Sequence, residues 1–334
     1  MVDLKLVEEV VSSELDEDVR DLSKIGVGRA HESFSFRTSS GDYILKASND
    51  VGLEDRFQVE APVNRLLARE SGVSVPELIA FDNSKTDFDF MYFISSFETG
   101  VNLDNYESEG GPKFRYLSRE RKRKVLESAG RQLGMVHSQT GFEQYGFLKC
   151  ENNELCFRDK GCWSSIFKKI ILEEQLANFP ERFMDLQGMV ESFVEENFEV
   201  VDTGADPCVI HQDFRWPNMK VDGDTVSAVF DWERALAGHH EYDLTKSLKS
   251  LVQVRSENLR KEYRKSFLKG YQKYMDLDND WKKRKKFYRA LRPVEALWTF
   301  ESWTKGMSKD KKEEMAELHR SNLEERINQF LEEY

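Results

Sequence analysis

An α+β chain, with a small antiparallel sheet first and a mainly helical remainder, is predicted by three features of the sequence. In the first fifty residues, three short apolar segments are separated by glycine and serine, the punctuation of β-hairpins. From about residue 101 the apolar residues recur at helical spacing over long stretches. A second hairpin then interrupts the helical part: a strand end at 208–210, a polar loop, a strand, an Asp222-Gly223 turn, and a strand at 225–230 that stops at the acid Asp231.

Taken in order, Leu4, Val7, Val10 and Val11 fall at helical spacing and predict a short opening helix. Segments 19–25, 32–37 and 43–47 read as three antiparallel strands broken by Gly26, Gly28, Ser40 and Gly41. The third ends in Tyr43-Ile44-Leu45-Lys46, a lysine closing an apolar strand. A helical segment follows, carrying Glu54 and Glu60 with Pro62 inside it, and then two strands, 77–81 and 88–97, joined by a turn at 82–85. The second of these gives way to polar residues at Ser95-Ser96-Phe97-Glu98. Helices are predicted over 119–138, 163–178, 182–200, 244–275, 281–291, 294–305 and 309–333. Lys282 to Lys286 form a basic run that reads as a solvated face. No internal repeat or low-complexity linker is evident.

Composition narrows the function classes. A chain of 334 residues can bury a sizeable core in one large domain or two associated lobes. A net charge of -12 disfavours general nucleic-acid binding, which needs a basic face. No apolar run reaches the length of a membrane helix, and the acidic start lacks the pattern of a signal peptide, so a cytoplasmic protein is expected. Cys150, Cys156, Cys162 and Cys208 lack the spacing of common zinc sites and are expected as free thiols. No obligate protein partner is evident, and no G-x-x-x-x-G-K-[ST] run occurs.

The chemistry is concentrated between Val209 and Asp243. Asp213, an amide five residues on at Asn218, and Asp231 beyond the hairpin supply a base for an acceptor hydroxyl and two oxygen ligands for magnesium. The pattern H-x-D-x-x-x-x-N, a hairpin, apolar-D-W-E and a following Y-D-L resembles the aminoglycoside phosphotransferase family, small-molecule kinases with the fold of protein kinases. That resemblance implies a two-lobed protein-kinase-like fold. Residues 1–98 would form a nucleotide-binding lobe, and residues 99–334 a catalytic and substrate-binding lobe.

It further implies catalytic roles for Asp213, Arg215 and His211, with His211 bracing the loop by hydrogen bonds. Asn218 and Asp231 would hold Mg2+. ATP, with GTP left open, would be contacted by Lys46 locked by Glu60, by the Gly26 and Gly28 turn, and by the hinge at Ser96 and Phe97. In that turn His31 stands where the protein-kinase pattern has its third glycine. Arg215 has two readings: a guanidinium that neutralises the transferred phosphate, or a salt bridge to a neighbouring acid. His137, in an L-x-x-L-H-S-like element, reads as a packed helix-end residue.

Only eleven residues separate Asp231 from Asp243, too few for the activation segment of a protein kinase, so the acceptor is expected to be a small molecule. Glu233, Glu295, Trp298 and Glu301 are candidates to contact it, the last three spaced so that one helix could aim them together. Acids and indoles suit an amine, which admits aminoglycoside, amino-alcohol, choline-like and sugar acceptors. The alternative is a catalytically silent nucleotide-binding protein with a regulatory or assembly role.

Overall fold

The computed structural model describes residues 2–27, 31–49, 54–103 and 114–334. Asp3 caps helix α1 (Leu4–Leu15) by accepting from the Leu6 N–H, and Val7, Val10 and Val11 are buried on its inner face. Leu4, expected on that face, is exposed; Val2 is buried in its place, among Phe34, Leu45 and Ile94 of the sheet. The sheet comprises β1 (Arg20–Val27), β2 (Glu32–Arg37), β3 (Asp42–Ser48), then β4 (Leu78–Asp82) and β5 (Met91–Ser96). Its order is β1-β2-β3-β5-β4, antiparallel throughout. Helix α2 (Glu54–Glu70) lies between β3 and β4 in the chain, and its Val59, Val63 and Leu67 join the core of the helical part.

Leaving β5, the chain is moored to the later hairpin. Val101 and Val221 exchange backbone hydrogen bonds of 3.0 and 2.9 Å, and the Asn102 amide donates to the carbonyls of Pro217 and Met219. Helix α3 (Arg119–Gln139), capped by Ser118, follows. The next feature was missed in the sequence: β6 (Tyr145–Glu151) and β7 (Glu154–Gly161) form a hairpin turned by Asn152 and Asn153, both at positive φ, 51° and 62°. Paired left-handed residues are the requirement of a type I′ turn, and asparagine tolerates them.

The predicted helix 163–178 is continuous but irregular, with α4 (Trp163–Lys168) passing into a π-helical stretch at Lys169–Gln175 and a 3₁₀ turn. Helix α5 (Gln187–Asn197) leads to β8 (Cys208–Ile210), the hairpin β9 (Met219–Asp222) and β10 (Thr225–Val229), and β11 (Leu236–Gly238). The turn residues are Gly223 and Asp224, one position later than predicted, with φ of 55° at Gly223, as a leading glycine in a two-residue turn requires. Strand β11 lies between β6 and β8, completing a four-stranded sheet.

Helices α6 (His240–Leu251) and α7 (Glu257–Tyr271) replace the single predicted stretch 244–275. Helix α8 (Trp281–Trp298) runs through Pro293, where two helices were expected, and is followed by α9 (Phe300–Trp303) and α10 (Lys309–Glu333). Among the described residues, no helix is long and apolar enough to cross a membrane.

Two features fix the helical part under the site. Helices α3 and α7 cross at glycines: a Cβ on Gly130 would strike the Phe267 carbonyl, and one on Gly270 the Glu127 carbonyl. The second feature is Asp243, whose carboxylate is fully buried at the start of α6. It accepts from the backbone N–H of His211 at 2.7 Å and of Gln212 at 2.9 Å, and from His137 Nε2 at 3.3 Å. The donor pattern that satisfies every group runs from His240 Nδ1–H to the Tyr271 hydroxyl, from Tyr271 to His137 Nδ1, and from His137 Nε2–H to Asp243. Burial pushes the Asp243 carboxyl up, but the hydrogen bonds from His137 and from the His211 backbone N–H outweigh it and hold it below the usual range.

Gly270→Ala should therefore destabilise the protein: the helix-propensity gain of about 1 kcal/mol is exceeded by overpacking of about 1–3 kcal/mol, because the obstacle is backbone. A urea midpoint at or above that of the parent would refute the close crossing. Asp243→Asn should cost about 2–4 kcal/mol by leaving buried donors without an acceptor. With a lowered folded pKa, the carboxylate's contribution is complete above the ordinary value of 3.8 and is lost as pH falls through the lower folded value. Stability of the variant measured against pH should lack that acid-side decline.

Candidate active site

The site forms where the first sheet faces the β9–β10 hairpin. Lys46 sits on β3, paired in register with Ser33 and Phe93, so its side chain is held from both sides of the strand. Its ammonium lies 2.8 and 3.0 Å from the two oxygens of Glu60 on α2 and 3.1 Å from Asp231 Oδ1. Burial works against the lysine charge; the Glu60 and Asp231 carboxylates outweigh it, and Lys46 is raised above its ordinary value. Glu60, 2% exposed, is thus the partner rather than Glu54, whose side chain lies outside the described residues.

Asp231 follows β10 with φ of +72°, and Gln212 precedes Asp213 with φ of +63°. Left-handed non-glycine residues store strain and survive where neighbours over-determine them. Here the Phe230 N–H donates to the Asn218 carbonyl at 3.1 Å and the Trp232 indole to the Val229 carbonyl at 3.2 Å. His211 Nε2–H donates to the Phe230 carbonyl at 3.2 Å while its Nδ1 accepts from the Asp213 N–H at 3.3 Å. The ring, fully buried against Trp232, ties the Asp213 loop to the Asp231 loop.

The Asn218 amide nitrogen donates to the Asp213 carbonyl at 3.0 Å and to its Oδ2 at 3.2 Å, which leaves Asn218 Oδ1 as an acceptor. Arg215 Nε lies 2.9 Å from Asp213 Oδ2. Carboxylate oxygens of Glu60, Asp231 and Glu233 lie within 4.8 Å of one another. An all-oxygen donor set of this kind suits a hard divalent cation.

Other expected contacts fall differently. Glu233 meets His31 Nε2 at 2.9 Å, and His31 packs edge-on against Phe57, so the histidine in the third glycine position links the first sheet to the segment after Asp231. Gly26 lies at the end of β1, while Gly28 is outside the described residues. The N–H groups of Ser96 and Phe97 already donate to the Glu77 and Asp42 carbonyls, at 2.9 and 3.0 Å.

Glu295 is surrounded by three cations, Arg234 at 3.1 Å, Lys246 at 3.3 Å and Arg292, which hold it well below the usual carboxylate range against the opposing effect of burial. Lys246 in turn is pushed down to about 8 by burial, with Glu295 opposing. Trp298 packs against the core shared by α4, α8 and α10. Glu301 lies past the end of α8, exposed, and pairs with Lys312 and Arg182. These three residues are not brought to one face, because the helix breaks at Thr299.

A cavity of about 230 Å³ opens beside Gln212 and Glu233, a feature without a signal in the linear sequence. Arg56 of α2, Arg158 of β7 and Arg234 project from separate elements into its wall, with Glu174 and Gln175 from the π-helical stretch. Burial pushes the Glu174 carboxyl up, only partly offset by Arg158, Arg56 and Arg234.

The family model described as APH, phosphotransferase enzyme family, matches residues 21–277. No curated protein sequence gives a match. Among solved structures, a candidate fructosamine-3-kinase from Thermobifida fusca is 16% identical with a TM-score of 0.67, covering 99% of this chain and 100% of its own. Aminoglycoside phosphotransferase APH(4)-Ia is 15% identical with a TM-score of 0.66, at 98% and 99% coverage. The amicoumacin kinase hAmiN, in complex with AMP-PNP, Ca2+ and Ami, is 12% identical with a TM-score of 0.68, at 97% and 94% coverage. The fold is therefore the one these kinase-like phosphotransferases share, and with most of its length matched by the family model, the chain belongs to the APH phosphotransferase enzyme family.

Proposed function

We propose that the protein transfers the γ-phosphate of ATP to a hydroxyl of a small molecule, with residues 1–98 holding the nucleotide and residues 99–334 supplying the catalytic groups and the acceptor site. The observation that carries this reading is the Lys46 ammonium, which touches both Glu60 on α2 and Asp231 beyond the hairpin, while Asn218 bonds Asp213 within the loop between β8 and β9. It is supported by similar structures solved with AMP-PNP, one of them an APH(4)-Ia mutant in a ternary complex with hygromycin B.

In this reading Lys46 binds the phosphate tail and Glu60 keeps it oriented. Asp213 accepts the acceptor's hydroxyl proton on the oxygen not engaged by Asn218, and His211 holds the loop rigid. Arg215, paired with Asp213, places a guanidinium beside the developing negative charge. Asn218 Oδ1 and the Asp231 carboxylate are the ligands for Mg2+, which when bound neutralises charge on the phosphates. The adenine edge is met at the exit of β5 by the carbonyls of Ser96 and Phe97, since their N–H groups are engaged within the protein. The acceptor occupies the cavity beside Gln212, where Glu233 and the arginines give the wall both signs of charge and favour a polar, hydroxyl-rich molecule.

Asp213→Asn should lower turnover by roughly a hundredfold or more, the range for a general base, with ATP affinity nearly unchanged. The measurement is ADP release across a panel of alcohols, sugars and aminoglycosides; parental turnover in the variant would remove Asp213 from its role. Asp231→Asn should weaken ATP binding in the presence of Mg2+ and leave binding without it much less altered. Calorimetric titrations giving the variant the parent's magnesium dependence would show that the cation is held elsewhere.

A further inference from the structure

A second cavity, of about 430 Å³, lies among α6, α7, α8 and α10 and shares no lining residue with the one beside Gln212. Eight of its lining residues are lysine or arginine, and none is aspartate or glutamate. The charge is not a reflection of composition, because acids outnumber bases in this chain, 61 to 49.

Ordinary neutralisation within the protein does not account for it. Among the described residues, Lys249, Arg264, Arg289 and Arg326, one from each of the four helices, pair with no carboxylate. Burial, then repulsion from Arg292 and Arg326, pushes the Lys249 ammonium down to about 8. Arg289 is lowered in the same way, by burial and then by Arg326 and Arg264. These groups are thus close enough to repel one another, and helices hold them there. Two neighbours are fixed in place: the Arg260 guanidinium donates to the Val254 carbonyl, and Arg292 is pinned by Glu295. Like charges gathered on rigid elements around a concave space are relieved by a compact anion with several charges. Guanidinium forks match phosphate oxygens in particular.

We propose that this cavity is a second ligand site, which binds a small molecule carrying two or more phosphates. Its concave shape and volume, within the range of small-ligand pockets, favour such a molecule over an extended nucleic-acid backbone. The site is separate from the phosphoryl-transfer cleft, yet Arg292 belongs to both settings through Glu295, the carboxylate that also holds Arg234.

The test uses the full chain with Lys46→Met, which disables phosphate binding in the cleft, and inorganic tripolyphosphate as the probe in titration calorimetry. One site is expected, its affinity falling with salt, and weakened at least tenfold by adding Arg289→Gln with Arg326→Gln. Lys249→Gln with Arg264→Gln, on the other two helices, should give the same loss if the first pair unfolds the protein. Binding seen in the parent but absent from the Lys46→Met protein would assign the probe to the cleft and overturn the proposal. So would affinity undiminished by either pair of substitutions. A single-stranded oligonucleotide that binds through these residues more tightly as it lengthens would replace the small ligand by a nucleic acid.

Discussion

The arrangement of the site depends on one buried carboxylate. Asp243 lies at the first turn of α6, where it is fully enclosed and takes hydrogen bonds from two successive backbone N–H groups of the loop that carries Asp213. A buried charge is tolerated only when it is fully hydrogen-bonded. The same requirement makes it a clamp, because the loop cannot leave without stranding the carboxylate. His137 and Tyr271 extend the clamp into α3 and α7, whose glycine crossing brings those side chains within reach. Loop geometry is thus set by helices distant in sequence.

A second constraint joins the two parts of the molecule. Lys46 comes from a sheet, Glu60 from the helix after it, and Asp231 from beyond the hairpin, yet one ammonium touches both carboxylates. Asp231 and Gln212 both take positive φ, and the hydrogen bonds around His211 and Trp232 hold that strain in place. The mooring of Val101 on Val221 has a parallel effect on the chain between the parts, since it fastens the exit of the first sheet to the hairpin bearing Asn218.

Charge in the helical part follows a different logic from the acidic surface. Glu295, once a candidate for holding a cationic acceptor, is already shared by Arg234, Lys246 and Arg292. Neutralised in this way, it serves to place Arg234 beside the Asp213 loop. The arginines in the cavity beside Gln212 arrive from α2, β7 and the segment after Asp231, three stretches that no local pattern connects.

What could be read from the linear chain was whatever depends on near neighbours. The alternation of β2 and β3, the capped periodicity of α3 and the spacing of Asp213, Asn218 and Asp231 are local, so the fold class and the phosphotransferase resemblance were visible. The β6–β7 hairpin had a legible signal too, in Asn152-Asn153, but was overlooked amid helical patterns. The single course of α8 through Pro293 was obscured by a residue that usually ends a helix. Only the tertiary structure gave His31 to Glu233 and Glu295 to three cations, and gathered unpaired bases around one cavity. Those outcomes are long-range electrostatics and packing, set by which helices and strands cross, and sequence spacing carries no record of distances between elements that meet only in the folded chain.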